Sequence, residues 1–267
     1  MSAPAIELEH VTKEYLPVRN LNVGVKQLLL RPLHLRQLAR NARYVAVDDV
    51  SFSVAPGESF GLLGRNGAGK STLLGMIGGV LQPTRGTVRV RGRIAPLLEI
   101  GVGFVQDLTG IENAVLNGIL LGLRRHEVEA RLEEIFEFAG VMEFAAQPLK
   151  TYSSGMQARL GFAIAIHTDP DVLLVDEVLA VGDAAFKERC FERIAELRAG
   201  GVTILLVSHD VPTVSRVCDR AAWIEAGRVR ELGPAQEVSD HYHEALLGKK
   251  RSRSAIDFLG RTRSGAD

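Results

Sequence analysis

The octet Gly64-Arg65-Asn66-Gly67-Ala68-Gly69-Lys70-Ser71, followed by Thr72, fits the pattern G-x-x-x-x-G-K-[ST]. Glycines at that spacing let a backbone wind tightly enough for successive N–H groups to face a chain of phosphates. A helix starting directly after them adds the positive end of its dipole. The Lys70 ammonium would then reach the β and γ phosphates of a nucleotide, and the Ser71 hydroxyl would bind Mg²⁺. Further along, Val172-Leu173-Leu174-Val175 ends in Asp176 and Glu177. Asp176 at the end of an apolar strand is placed to hold Mg²⁺ directly or through water, and Glu177 to polarise an attacking water as general base. Taken alone, such an acidic pair more commonly caps the next helix; after a phosphate loop the catalytic assignment prevails. Ser208-His209 closes another apolar run, and His209 there supplies a donor toward a γ-phosphate. Phosphoryl chemistry on ATP with Mg²⁺ as cofactor is the expectation.

The elements that must hold these groups follow from the hydrophobic pattern. Glu58 to Leu63 is a short apolar run ahead of the glycine loop, and Ser71 to Val80 reads as helix behind it, the strand, loop, helix order of a phosphate-binding unit. Val172 to Val175 and Val202 to Val207 are short, rich in valine and leucine and hardly alternate, as buried parallel strands do. Ile6 to Val11 and Val45 to Val54 alternate apolar with polar residues, the pattern of half-exposed antiparallel strands at an edge. Ile111 to Leu123 and Glu127 to Ala139 have helical periodicity, the second closed by Gly140 as a left-handed cap. The fold class expected is α/β: a phosphate-loop NTPase core with a mostly parallel sheet, an antiparallel edge β-subdomain and an inserted α-helical subdomain. The boundaries drawn are a single ATPase domain over 1–240, its core 1–98 and 168–240, its helical subdomain 99–167, and a basic tail over 241–267. Between the edge strands lies a basic insertion, 16–43, carrying Arg19, Lys26, Arg31, Arg36, Arg40 and Arg43 among leucines without one acid.

Tyr152-Ser153-Ser154-Gly155-Met156 precedes a helix-like stretch, Gln157 to His167. Hydroxyl and backbone donors at a helix N-terminus can grip a phosphate, although alone this would be an ordinary N-cap. With the phosphate loop before it and Asp176 after it, the segment resembles the LSGGQ signature of ATP-binding cassette (ABC) proteins, with Tyr152 for leucine, Ser154 for the first glycine and Met156 for glutamine. The resemblance covers about residues 5 to 240. It implies a homodimer closed head to tail, in which Ser153, Ser154 and Gly155 touch the ATP held by the other copy, and Asp183 of Ala180-Val181-Gly182-Asp183 crosses the interface. It also implies an aromatic stacked on adenine, for which Tyr15 and Tyr44 both qualify. A glutamine that normally contacts Mg²⁺ between core and helical subdomain is matched best by Glu99, with Gln106 as the other candidate.

The YSSGM variant, the stretch Leu179 to Asp183 and Gly101-Val102-Gly103-Phe104 leading to Leu108-Thr109-Gly110-Ile111-Glu112-Asn113 are similar to exporters of O-antigen, teichoic acid and capsule. That likeness implies ATP hydrolysis coupled to moving a lipid-linked polysaccharide. It also implies a permease partner in two copies, each with about six membrane-crossing segments of roughly 20 residues. The chain itself contains no apolar run of that length, so a soluble subunit at the cytoplasmic face of the membrane is expected. Lys+Arg and Asp+Glu balance at 32 each, so no global basic field points to nucleic acid. ABC ATPases that work on chromosomes or ribosomes remain the alternative, and long coiled coils or a second cassette, which those carry, are missing from the pattern. Cys190 and Cys218 have no metal or redox spacing and read as buried thiols.

Overall fold

The structure is a computed structural model and describes residues 3–15, 43–97, 103–176 and 183–247. Glu99, Gly101, Val102, Glu177, Leu179 to Gly182, residues 16–42 of the basic insertion and residues 248–267 lie outside the described residues.

Among the described residues, nine strands form two sheets. β1 (Ile6–Tyr15) pairs antiparallel with β2 (Tyr44–Val54) and with β4 (Arg85–Val90), giving a three-stranded sheet in the order β2-β1-β4. The second sheet has the order β5-β6-β7-β3-β8-β9, from β3 (Ser59–Leu63), β5 (Ile94–Leu97), β6 (Val172–Val175), β7 (Thr203–Ser208), β8 (Arg220–Glu225) and β9 (Arg228–Pro234). Its first five members are parallel and β9 is antiparallel to β8. β3, β6 and β7 are buried along their whole length. That is why they read as continuous apolar runs: a parallel strand covered on both faces has no solvent side to alternate with. β1 and β2 have one wet face and alternate over Ile6–Glu9 and Val50–Val54, while irregularities at His10 and Asp49, both with positive φ, interrupt the period of two.

Helix α1 (Lys70–Ile77) follows β3 and stops earlier than the expected Val80. Gly78 and Gly79 interrupt it, and the N–H groups of Val80 and Leu81 both turn back to the Gly75 carbonyl at 2.9 Å. The helical unit comprises α2 (Gly110–Leu120), α3 (Arg125–Glu129), α4 (Leu132–Ala139) and α5 (Ser154–Ile166). The single helix expected over Glu127 to Ala139 is two. Arg131 sits between them with φ −110° and ψ 0°, its guanidinium drawn to the His167 carbonyl at 2.7 Å and to the Asp169 carboxylate. Gly140 caps α4 in the left-handed region at φ 64°, as its lack of Cβ suggested.

The helical unit has its own core of Ala114, Ile135, Phe136, Leu149, Tyr152, Leu160 and Ile164, while the other face of α5 sends Phe162 and Ile166 against β6. Helix α6 (Ala184–Ala199), α7 (Val211–Val217) and a final helix, α8 (235–247), complete the core layer. No helix among the described residues is long and apolar enough to cross a membrane.

Candidate functional site

Register decides what the parallel sheet gathers at one edge. Leu63 pairs with Ser208 and Val175 with Leu206, and the strands lie in the order β6-β7-β3. The chain therefore leaves β3 into Gly64, β6 into Asp176 and β7 into His209 at the same end of three adjacent strands. This is the carboxyl edge where open α/β sheets bind ligands. β5 ends there too, with Leu97 level with Val175, two residues before Glu99.

The loop Gly64–Gly69 is held from both sides. Gly69 has φ 104°, and a Cβ on it would lie 2.4 Å from the Ala46 carbonyl oxygen, so only glycine fits the turn into α1. Behind the loop, the Gly227 N–H donates to the Ala68 carbonyl at 3.0 Å, and the Asp48 N–H to the Gly227 carbonyl at 2.8 Å. The β8–β9 turn thus ties the loop to β2, and the Arg228 guanidinium on Asp48 closes the link. Lys70 is buried, with its ammonium 2.7 Å from the Gly64 carbonyl and 3.2 Å from that of Arg65. The cation is therefore seated inside the loop that would surround an anion. Arg65, Asn66 and Gly67 stand exposed at the loop's crest, and Ser71 and Thr72 follow Lys70 in the first turn of α1, which has no acid there.

Asp176 is half-buried one step past β6, and Ser71 is exposed at the start of α1. A carboxylate and a hydroxyl form an all-oxygen donor pair suited to a hard cation such as Mg²⁺, which keeps waters and takes phosphate oxygens for the rest of its shell. Ser208 is buried and its Oγ accepts the Asp210 N–H at 2.9 Å, holding the turn that presents His209 at the surface. Asp210 then caps α7 by accepting from the Thr213 N–H at 3.2 Å. Asp183 is the N-cap of α6 and accepts from the Phe186 N–H at 2.8 Å, so this acid fixes a helix start.

Ser153 is the N-cap of α5, its Oγ accepting from the Met156 N–H at 3.2 Å. Ser153 and Ser154 are exposed, and the first turn of α5 has no acid to oppose an incoming anion, whereas α2, α3 and α4 carry Glu112, Glu127 and Glu133 there. The first N–H groups of a helix have no intrahelical acceptor, so the tip offers donors outward. Phosphate loop and α5 tip thus belong to different units of the fold, core layer and helical layer. Tyr15 and Tyr44 are directly paired across β1 and β2. The Lys13 ammonium lies 5.4 Å over the Tyr15 ring, while Tyr44 is 57% exposed and two residues from Ala46, which abuts Gly69. Gln106 belongs to the helical layer, its Oε1 accepting from Gln157 at 3.4 Å and its carbonyl from the Lys150 N–H at 2.9 Å.

Three supports escaped the sequence reading. Arg43, placed within the basic insertion, pairs with Glu14 at 2.7 Å, and Arg85 holds the same carboxylate, which is kept below the usual carboxylate range chiefly by the Arg43 hydrogen bond. Asp219 accepts from the Ser59 N–H at 3.0 Å and pairs with Arg198, locking β3 to α6. Tyr242 of α8 stands edge-on to Trp223 at 5.3 Å, and a cavity of about 180 Å³ separates α8 from the crest of the phosphate loop. A tryptophan and a tyrosine far apart in sequence give no signal of their contact. Cys190 and Cys218 are buried, and burial pushes both thiols up to about 12.

A family model described as ABC transporter matches residues 47–180. The O-antigen export system ATP-binding protein RfbB of Klebsiella pneumoniae is 49% identical over 243 residues, covering 91% of this chain and 99% of its own. The teichoic acids export ATP-binding protein TagH of Listeria monocytogenes is 42% identical over 239 residues, covering 90% of this chain and 70% of its own. Among solved structures, an ATP-binding subunit of an ABC transporter superposes with a TM-score of 0.72 at 24% identity, over 90% of this chain and 93% of that one. A cassette solved as a dimer in a post-hydrolysis state with ADP and Pi gives 0.68 at 22% identity, over 86% of this chain and 98% of that one.

Proposed function

We propose that this chain, which belongs to the ABC transporter family of ATP-binding subunits, drives export of a lipid-linked surface polysaccharide through a separate membrane permease. The observation that carries the cargo assignment is the 49% identity, across 91% of the chain, to an O-antigen export ATP-binding protein. The phosphate loop from Gly64 to Thr72 holds the nucleotide, with Lys70 on the β and γ phosphates and Tyr44 under the adenine. Ser71 and Asp176 are the residues to hold Mg²⁺, which when bound neutralises charge on the phosphates. Glu177 takes the proton of the attacking water and His209 donates to the γ-phosphate.

Ser153, Ser154 and Gly155 close over the nucleotide of a second copy, so the working unit is a homodimer, and Asp183 lies at the seam while capping α6. A polar glycan cannot pass hydrocarbon unaided, and the chain's described helices do not span a membrane. The permease, two copies of about six spans of roughly 20 residues, forms the path. The segment from Leu97 to Asn113, which joins the core to the helical unit along the sequence, receives it, and the ATPase works at the cytoplasmic face of the membrane.

The test expresses the chain, as found and as Glu177→Gln, together with a candidate multi-span permease. Both forms are expected to co-purify with that protein. In cells the substituted form stops surface display of the glycan while its lipid-linked precursor accumulates inside. Undiminished surface glycan in cells whose only copy is Glu177→Gln overturns the proposal.

A further inference from the structure

The residue that opens the α5 tip points inward. Tyr152 precedes the N-cap Ser153, is 5% exposed, and donates its hydroxyl to the Phe144 carbonyl at 2.8 Å. Its ring stands edge-on to Phe144 with centroids 6.0 Å apart. The same hydroxyl occupies the space over Gly110, the first residue of α2. A Cβ at Gly110 would lie 2.2 Å from the Tyr152 oxygen, 3.1 Å from the Ala145 carbonyl oxygen and 3.1 Å from Phe136 Cε1. Gly110 has no positive φ, so glycine is required there for room and not for its conformational freedom.

Hydrogen bonds stitch the surrounding joint. The Gly110 N–H donates to Gln147 and the Ile111 N–H to Ala145, both at 3.0 Å, while the Leu149 N–H reaches Leu108 and the Lys150 N–H reaches Gln106, both at 2.9 Å. The Lys150 ammonium meets Asp107 at 2.9 Å, and Gln157 in α5 reaches back to the Leu149 carbonyl at 3.2 Å. Residues 106–111 and 145–153 therefore form one body, with Ser153 at one end and the α2 capping box of Thr109 and Glu112 at the other.

We propose that Tyr152 is a positioning residue: its hydroxyl, wedged over Gly110, sets the height of the Ser153–Gly155 tip above the start of α2. A displacement of 106–111 then reaches the tip as a rigid step. This rests on the reading of that tip as completing the partner copy's nucleotide site. There a shift of about 1 Å costs on the order of a hundredfold in rate.

A double-mutant cycle on the full chain tests it, reading ATP turnover and ADP affinity. Gly110→Ala forces the hydroxyl away and is expected to lower kcat by roughly 10- to 100-fold. ADP affinity, set by the phosphate loop, stays within about twofold. Tyr152→Phe removes the clashing oxygen and alone costs about threefold in kcat, and the double variant returns to about that level instead of compounding the losses. Thermal melts accompany each variant. Because Tyr152→Phe introduces no new atom, it keeps the test decisive should Gly110→Ala fail to fold.

A double variant as slow as Gly110→Ala, or an unchanged kcat in Tyr152→Phe, overturns the proposal. Ser154→Asp separates the two layers of argument. If it leaves turnover intact, the reading of the tip fails; if it stops turnover while the cycle shows no coupling, only the role of Tyr152 fails.

Discussion

At the scale of single residues, the two tyrosines at the end of the edge sheet illustrate how geometry divides equal candidates. Tyr15 and Tyr44 face each other across β1 and β2, so any argument from position in the sheet applies to both. The difference lies in what each ring already does. Tyr15 has the Lys13 ammonium over its face, and cation–π attraction competes with a base for that surface. Tyr44 is 57% exposed and belongs to the strand whose Ala46 abuts Gly69 at the start of α1. Base stacking on an aromatic contributes about 1–3 kcal/mol. Tyr44→Ala is therefore expected to weaken ATP binding by roughly thirtyfold, and Tyr15→Ala by less than about threefold, in a fluorescence titration. The reverse order would assign the adenine to Tyr15.

At the scale of elements, the sequence was most informative where one local rule operates. The strand, glycine loop and helix around Gly64–Ser71 are legible because glycines at that spacing mark a tight turn between an apolar run and a helical pattern, and β6 and β7 because burial on both faces abolishes alternation. What stayed hidden are contacts between elements remote in the chain. The helix expected to run through residue 131 is broken by a guanidinium that answers the His167 carbonyl. The fit of Tyr152 over Gly110 likewise joins two segments that no periodicity relates.

The end of α5, where Arg131 and His167 meet, has a pH signature. Burial holds the His167 imidazole below the usual histidine range, against the pull of the Ala163 carbonyl 2.6 Å from Nδ1. The folded state thus takes up its proton less readily than the unfolded chain does. The stabilisation is complete above the ordinary histidine range and is lost as pH falls below it. His167→Gln cannot protonate. Between about pH 7.5 and 5.5 its melting temperature is expected to fall less steeply than that of the unaltered chain. His241, held above the usual range by Glu231, contributes the opposite slope to both proteins and cancels in the comparison. Parallel slopes would place the titration elsewhere.

At the scale of the whole molecule, the decisive question is whether the phosphate loop in the core layer and the serine-led tip in the helical layer, which lie in different units of one chain, complete one pocket across two copies. The tip has the features of an anion site without an anion partner in its own first turn, and the loop lies on the sheet edge with Asp176 and His209. If each pocket takes its loop from one copy and its tip from the other, damage to the two halves should be separable between chains. Lys70→Ala destroys both loops of a dimer and Ser154→Asp both tips, so each variant alone is expected to hydrolyse almost no ATP. In a dimer of one chain of each kind, the intact loop of the second meets the intact tip of the first, and one of the two pockets is whole. Random pairing of equal amounts makes about half the dimers mixed, so roughly a quarter of the original activity should return on mixing. Purified full-length proteins and a phosphate-release assay suffice. Two inactive proteins that stay inactive at every ratio, although each still forms mixed dimers by pull-down, would mean that loop and tip act within one chain.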